Sequence, residues 1–246
     1  MVGDRLNSFR LPSADRDFAV SGLNYPDNDV SVSMARLRRY VSPQIAEMIL
    51  KSPNEANVWE IHRREITVVF LRLEGFIWFA DCAEPEEVMT VVRGYHEAMG
   101  KMILYFDGTI ERFTAAGIKA FFNDPVLCQD HALKAVRMAL ELRERARELR
   151  VGWQKKGYEL DLCIGLAAGY ATVGNFGFRE RMDYASVGKI ANLAQRLCQV
   201  ASGGQILTNQ KTLSKIETTV DAQPVSTHHF DGFRCPSEVF NIVRCS

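Results

Sequence analysis

Residues 66–73, Ile66-Thr67-Val68-Val69-Phe70-Leu71-Arg72-Leu73, form an apolar, β-branched run of strand length, and Gly75 follows close behind. Such a run reads as a buried strand with a single charge near its end. Working outward, residues 85–106 show helical spacing, with Pro85 at a start position and Glu86 and Glu87 in the first turn. Asp107-Gly108 signals a turn, and TIERFTAAGIKAFFN (109–123) reads as two short strands about a turn at residues 115–117. Residues 126–150 are helical, rich in Ala, Leu and paired Glu and Arg. YELDLCIGLAAGYATVGNFG (158–177) reads as one strand, a glycine break and a second strand. Another helix spans 188–201, the short strand QILT follows at 205–208, and 225–244 offers two more strands around Gly232. The order β-α-α-β-β-α-β-β-α-β plus a tail argues an α+β fold, with helices covering one or both faces of a mostly antiparallel sheet.

Composition narrows the function only by exclusion. The 246 residues carry 30 Lys+Arg against 30 Asp+Glu, a formal net charge of zero. Binding a phosphate backbone or an anionic membrane by charge needs a basic surplus, so nucleic acid is not an expected partner. The six cysteines are scattered with no CxxC pair, and several sit in apolar runs, which reads as free thiols in a reducing compartment. His228-His229 has only Cys235 nearby, too sparse for a metal site. No apolar run approaches ~20 residues and no signal-peptide pattern opens the chain, so no membrane span and a cytoplasmic location are expected.

Residues 1–30 read as an extended or mobile arm, 31–53 as a lead-in helix and 54–246 as the main domain. In the lead-in, Met34, Leu37, Val41, Ile45 and Met48 recur at steps of three and four, with Ser42 as N-cap and Pro43 at the first helical position of a restart. LRERARELR (142–150) reads as a solvated helix face.

Four segments, ITVVFLRLEGF, TIERFTAAGIKAFF, IGLAAGYATVGNFG and MDYASVGKIANLAQRL, are similar in order and spacing to the class III adenylate/guanylate cyclase homology domain. The lead-in LRRYVSPQIAEMIL resembles the segment that often precedes that domain, and the resemblance covers roughly 36–243. It implies a ferredoxin-like βαββαβ core with additional C-terminal strands and an N-terminal helix. It also implies cyclisation of a nucleoside triphosphate at a site between two protomers, where two carboxylates hold two divalent metals.

The residues depart from that pattern. At the first metal position, in F-x-D-I-x-G-F, stands Arg72; at the second, after the Gly of K-x-x-G-D, stands Ala116. A fixed cation repels a divalent metal, and Glu74, two residues along the strand, is not expected to take over. The base-reading Lys corresponds to Arg112 and the second base-reading position to Ala185, whose methyl cannot hydrogen-bond a purine edge. The transition-state pair of N-x-x-x-R survives as Asn192 and Arg196, at an i,i+4 spacing that puts both on one helix face. The phosphate-binding Lys before a Gly is replaced by Asp231 before Gly232. Gly165, Gly169, Gly174 and Gly177 keep the family's turn pattern.

Three functions fit this pattern. One is a catalytically silent cyclase homologue with a regulatory or interaction role in cyclic-nucleotide signalling. Another is a half-site that lends Asn192 and Arg196 to a metal-bearing partner chain. A third is a sensor that binds a purine nucleotide through Arg72 and Arg112 without turnover. No cofactor is expected, with Mg or Mn entering only if a partner chain supplies the ligands. The expected assembly is a homodimer or a heterodimer with another cyclase-type chain.

Overall fold

The structure, a computed structural model, describes residues 32, 35–51, 60–178 and 180–245. The arm at 1–30, Met34 and the boundary at 53/54 lie outside the described residues. The chain divides into Met1–Leu37 and Arg38–Ser246. In the first unit, residues 32 and 35–37 are helical.

A 3-10 turn at Arg38–Tyr40 leads into helix α1, Pro43–Lys51. Pro43 opens the helix as its fixed φ favours, and the Ser42 carbonyl accepts from the amides of Ile45 and Ala46. The Ser42 hydroxyl donates to Gln44 Oε1 at 2.5 Å instead of capping a backbone amide. Gln44 Nε2 in turn donates to the carbonyl of Gly108 at 3.1 Å, fastening α1 to the turn before β2.

The domain is an eight-stranded sheet ordered β2-β3-β1-β4-β6-β8-β7, with β5 paired to β4. The strands are β1 His62–Glu74, β2 Thr109–Thr114, β3 Gly117–Phe122, β4 Asp161–Phe178, β5 Arg181–Val187, β6 Ile206–Asn209, β7 Val220–His228 and β8 Ser237–Cys245. The helices after α1 are α2 Phe76–Cys82, α3 Pro85–Tyr105, α4 His131–Gln154, α5 Lys189–Val200 and α6 Gln210–Leu213. All pairings are antiparallel except β4 with β6. The order β2-β3-β1-β4, with helices between β1 and β2 and between β3 and β4, is the ferredoxin-like βαββαβ arrangement.

The run at 66–73 packs on both sides of the sheet. Val69, Leu71 and Leu73 bury against Tyr95, Met99 and Ile103 of α3 and Met138 and Leu142 of α4. Ile66 and Val68 point the other way, into a second core with Ala194, Leu197 and Cys198 of α5. Helices cover both faces of the sheet, so the middle of β1, residues 66–71, is almost continuously apolar instead of alternating.

Residues 161–178 are a single strand with no glycine break, and the second strand is the later segment 181–187. Gly165 lies in mid-strand because α5 packs directly on it. A Cβ there would meet the backbone nitrogen of Cys198 at 2.2 Å and the carbonyl oxygen of Ala194 at 2.3 Å. Close helix approach, not a turn, requires that glycine.

The charged stretch in α4 is also only partly solvated. Arg145 pairs with Glu148 and Arg147 with Glu144 on the surface. Arg143, however, donates to the carbonyls of Ile242 and Val243 on β8, and Arg150 pairs with Asp161 at 2.7 Å. No described helix is long and apolar enough to cross a membrane.

Candidate functional site

The positions singled out in the sequence fall into two places. Arg112 on β2, Ala185 on β5, Asn192 and Arg196 on α5, and Asp231 in the turn before β8 line one open cleft of about 2290 Å³. Arg72 and Ala116 are not among its lining residues. Within this chain, therefore, Asn192 and Arg196 stand apart from Arg72 and Ala116, the positions that the resemblance assigns to the metal carboxylates.

Arg72 occupies the even-numbered face of β1, the face covered by α5. Strand alternation carries it past Ile66 and Val68 to the point where α5 ends. Its Nε donates to the carbonyl of Cys198 at 3.3 Å, and its Nη2 donates to the carbonyl of Ala201 at 2.9 Å and to Cys163 Sγ at 3.3 Å. The last carbonyls of a helix lack intrahelical donors and carry partial negative charge, so a guanidinium there both caps and neutralises. The sequence offered an ion pair, a solvated strand end or a phosphate contact. The side chain makes neither of the first two and spends its donors on a helix C-terminus, and it is not among the cations that line the cleft, which include Arg112, Lys189 and Arg196.

Ala116 lies in the β2–β3 turn, and its carbonyl accepts from the amide of Leu73 at 2.7 Å. Its methyl group offers no ligand. Glu74 accepts from the amide of Gly203 at 2.6 Å, and its neighbour across the ladder, Asp161, is paired with Arg150. Among the described residues, no group of three or more His, Cys, Asp or Glu side chains is arranged to hold a metal ion. A donor-only guanidinium, a methyl and an engaged carboxylate do not fit a pair of divalent cations.

In the cleft, Arg112 is exposed and forms no ion pair with a described residue. Asn192 is exposed on the first turn of α5, and Arg196, one turn later, donates to Gln199 at 3.2 Å. Lys189 opens α5 with its ammonium 5.4 Å from the centre of the Phe233 ring. Asp231 is exposed at the rim, with Gly232 in a left-handed turn conformation beside it.

The floor of the cleft holds residues that the sequence reading passed over. Lys119 Nζ donates to Glu111 Oε1 at 2.6 Å and to the carbonyl of Ser186 at 2.8 Å. Both partners of this ion pair are buried, Lys119 at 6% and Glu111 at 7% side-chain exposure. Burial pulls the Lys119 pKa down, against the opposing pull of Glu111. The available signal was a lone lysine inside GIKAFF, a strand buried at every position.

Two buried thiols flank Arg72. The Cys198 thiol donates to the Cys163 carbonyl at 3.4 Å, and burial pushes the pKa of each up to about 12.

This fold and site define a nucleotidyl cyclase homology domain. The family model of the adenylate and guanylate cyclase catalytic domain matches residues 60–240, and the chain belongs to that family. Among solved structures it is similar to the adenylyl cyclase CyaB from P. aeruginosa, with 32% identity, a TM-score of 0.73, and coverage of 75% of this chain and 96% of that one. It is also similar to the guanylyl cyclase Cya2, with 31% identity, a TM-score of 0.72, and coverage of 75% and 94%. Adenylate cyclase 1 of Rhizobium meliloti is 27% identical over 184 residues, 74% of this chain. The chain spans 28% of that relative's length and 34% of the Anabaena cylindrica adenylate cyclase's.

Proposed function

We propose that this chain is a class III nucleotidyl cyclase homologue that does not cyclise nucleotides by itself, and that it serves as a regulatory or interaction module in intracellular cyclic-nucleotide signalling. The observation that carries this reading is Arg72. At the position that the resemblance assigns to the first metal carboxylate, a cation is committed to the carbonyls of Cys198 and Ala201. Ala116 offers no replacement, and Ala185 gives a methyl where a purine edge needs a polar partner. Metal-assisted cyclisation requires a lowered hydroxyl pKa and neutralised phosphate charge, and these residues supply neither. The assay is direct. Purified chain with ATP or GTP and Mn²⁺ should form no more cyclic nucleotide than the Asn192→Ala/Arg196→Ala variant; turnover clearly above that control refutes the reading.

A second reading is favoured by the separation of the two sets of positions. Asn192, Arg196 and Arg112 line an open cleft, while Arg72 and Ala116 lie outside it. A metal-bearing cyclase chain docked on that cleft would receive the charge-stabilising pair from this chain. Mixing the two chains tests it. A heteromer whose rate gain disappears with Asn192→Ala/Arg196→Ala supports a half-site; no heteromer and no rate change removes it.

A further inference from the structure

We infer that β5 is held by a two-point side-chain clamp that fixes one wall of the cleft before any ligand arrives. This inference stands apart from whether the chain turns over a nucleotide.

Among the described residues β5 pairs by backbone hydrogen bonds with β4 alone, so its other edge has no strand partner there. An unpaired edge leaves amides and carbonyls that must be satisfied when buried. At Ser186, which is buried, a charged pair does the work of the missing strand. The Ser186 amide donates to Glu111 Oε2 at 2.9 Å, and its hydroxyl donates to the same oxygen at 2.8 Å. The Ser186 carbonyl accepts from Lys119 Nζ at 2.8 Å, and Lys119 closes the circuit on Glu111. Glu111 can reach inward because it is the extra residue of a bulge. Ile110 pairs with Ala120, and the next pair is Arg112 with Lys119. A bulge re-aims the side chain it inserts.

The second point lies two residues earlier, on the same face of β5. The Tyr184 hydroxyl donates to Asp124 Oδ1. Asp124 is completely buried and also receives His62 Nε2 at 2.6 Å and Arg64 at 3.1 Å. Both carboxylates thus arrive from the β2–β3 side and grip β5 at alternate residues. Between the two grips lies Ala185; beside Glu111 lies Arg112; two residues beyond Ser186, Gly188 begins the turn into α5 and Asn192. The clamp sets the spacing of the two base-reading positions and the aim of the helix that carries the Asn-Arg pair.

Hydrogen exchange of the full chain without ligand tests this. In Lys119→Met, Glu111 loses its cation and the Ser186 carbonyl its donor. Amides 184–187 and the first turn of α5 should then exchange about ten-fold faster, while the centres of β1 and β4 keep their protection. Tyr184→Phe removes the other grip while keeping the ring, and should accelerate the same segment less. It decides the matter if Lys119→Met does not fold. Unchanged exchange at 184–187 overturns the clamp. Equal acceleration across β1, β4 and β5 also overturns it, because it reduces these contacts to general stabilisers.

Discussion

The guanidinium of Arg72 donates to the carbonyl of Ala201, 129 residues away in sequence, at 2.9 Å. Together with its bond to Cys198, this joins the end of β1 to the end of α5. Arg72, at the position that the resemblance assigns to a metal carboxylate, caps the C-terminus of the helix that bears Asn192 and Arg196.

Replacing Arg72 should therefore be read first in stability. Arg72→Ala leaves two helix-terminal carbonyls without their donor, and a loss of about 1–3 kcal/mol is expected. Arg72→Asp should cost more, since it sets a carboxylate against the negative end of α5. Urea unfolding measures both. Equal stability of wild type and Arg72→Asp would show that the cap contributes nothing.

On the proposed reading, placing carboxylates at positions 72 and 116 should not by itself produce cyclisation. Arg72→Asp/Ala116→Asp supplies metal ligands on paper, but the first would uncap α5, and Ala185 and Asp231 stay unchanged. Cyclic nucleotide formed by this variant with Mn²⁺ should match the background of Asn192→Ala. A rate well above that background would mean the two substitutions alone silence the site.

The fold was legible where local pattern and tertiary packing agree. The β1 run, the helix from Pro85 and the paired strands about residues 115–117 all carry signals within a few residues of one another. The reading of β4 failed because Gly165 and Gly169 resemble a turn in one dimension; only the passage of α5 across the strand explains the first of them. Motif order singled out candidate positions, but not what they touch. Nothing near Arg72 in sequence announces Cys198 or Ala201. The Lys119–Glu111–Ser186 contact likewise joins three strands, and its sequence trace is one lysine in an apolar run.

Gly165→Ala tests the helix approach. A methyl cannot fit at 2.2 Å from the Cys198 nitrogen, so α5 must move off β4. Overpacking of this kind costs roughly 1–3 kcal/mol or more. The thermal midpoint should fall clearly, with lost protection in α5. A midpoint within error of wild type would refute the packing described for this strand.

The cysteines should divide by environment. Cys82 and Cys235 are exposed, whereas Cys163 and Cys198 are buried with pKa values pushed up to about 12. The thiolate is the nucleophile, so at pH 8 a thiol reagent should label Cys82 and Cys235 in the native chain. Cys163 and Cys198 should react only after unfolding, as peptide mapping would reveal. Native labelling of Cys198 at the rate of Cys82 would contradict the packing of α5.

Acid sensitivity should begin in the histidine range. His131 Nδ1 shares a 2.7 Å hydrogen bond with Thr67 Oγ1 in the core, and burial lowers its pKa, with Glu65 and Asp130 pulling upward and Lys215 downward. Burial also lowers His96, against the hydrogen bond to the Thr114 carbonyl. The ordinary imidazole value is about 6.5. Below it the unfolded chain takes up protons that these native side chains refuse, so stability falls as pH drops from about 6.5 through the lowered native values. The carboxylates Glu47, Glu65 and Glu97 are held below their usual range by Lys51, Lys215 and Lys101, so their stabilisation is lost only at lower pH. Urea midpoints between pH 7 and pH 5 should therefore decline in wild type and flatten in His131→Gln/His96→Gln. An unchanged slope in the double variant would assign the acid response to other groups.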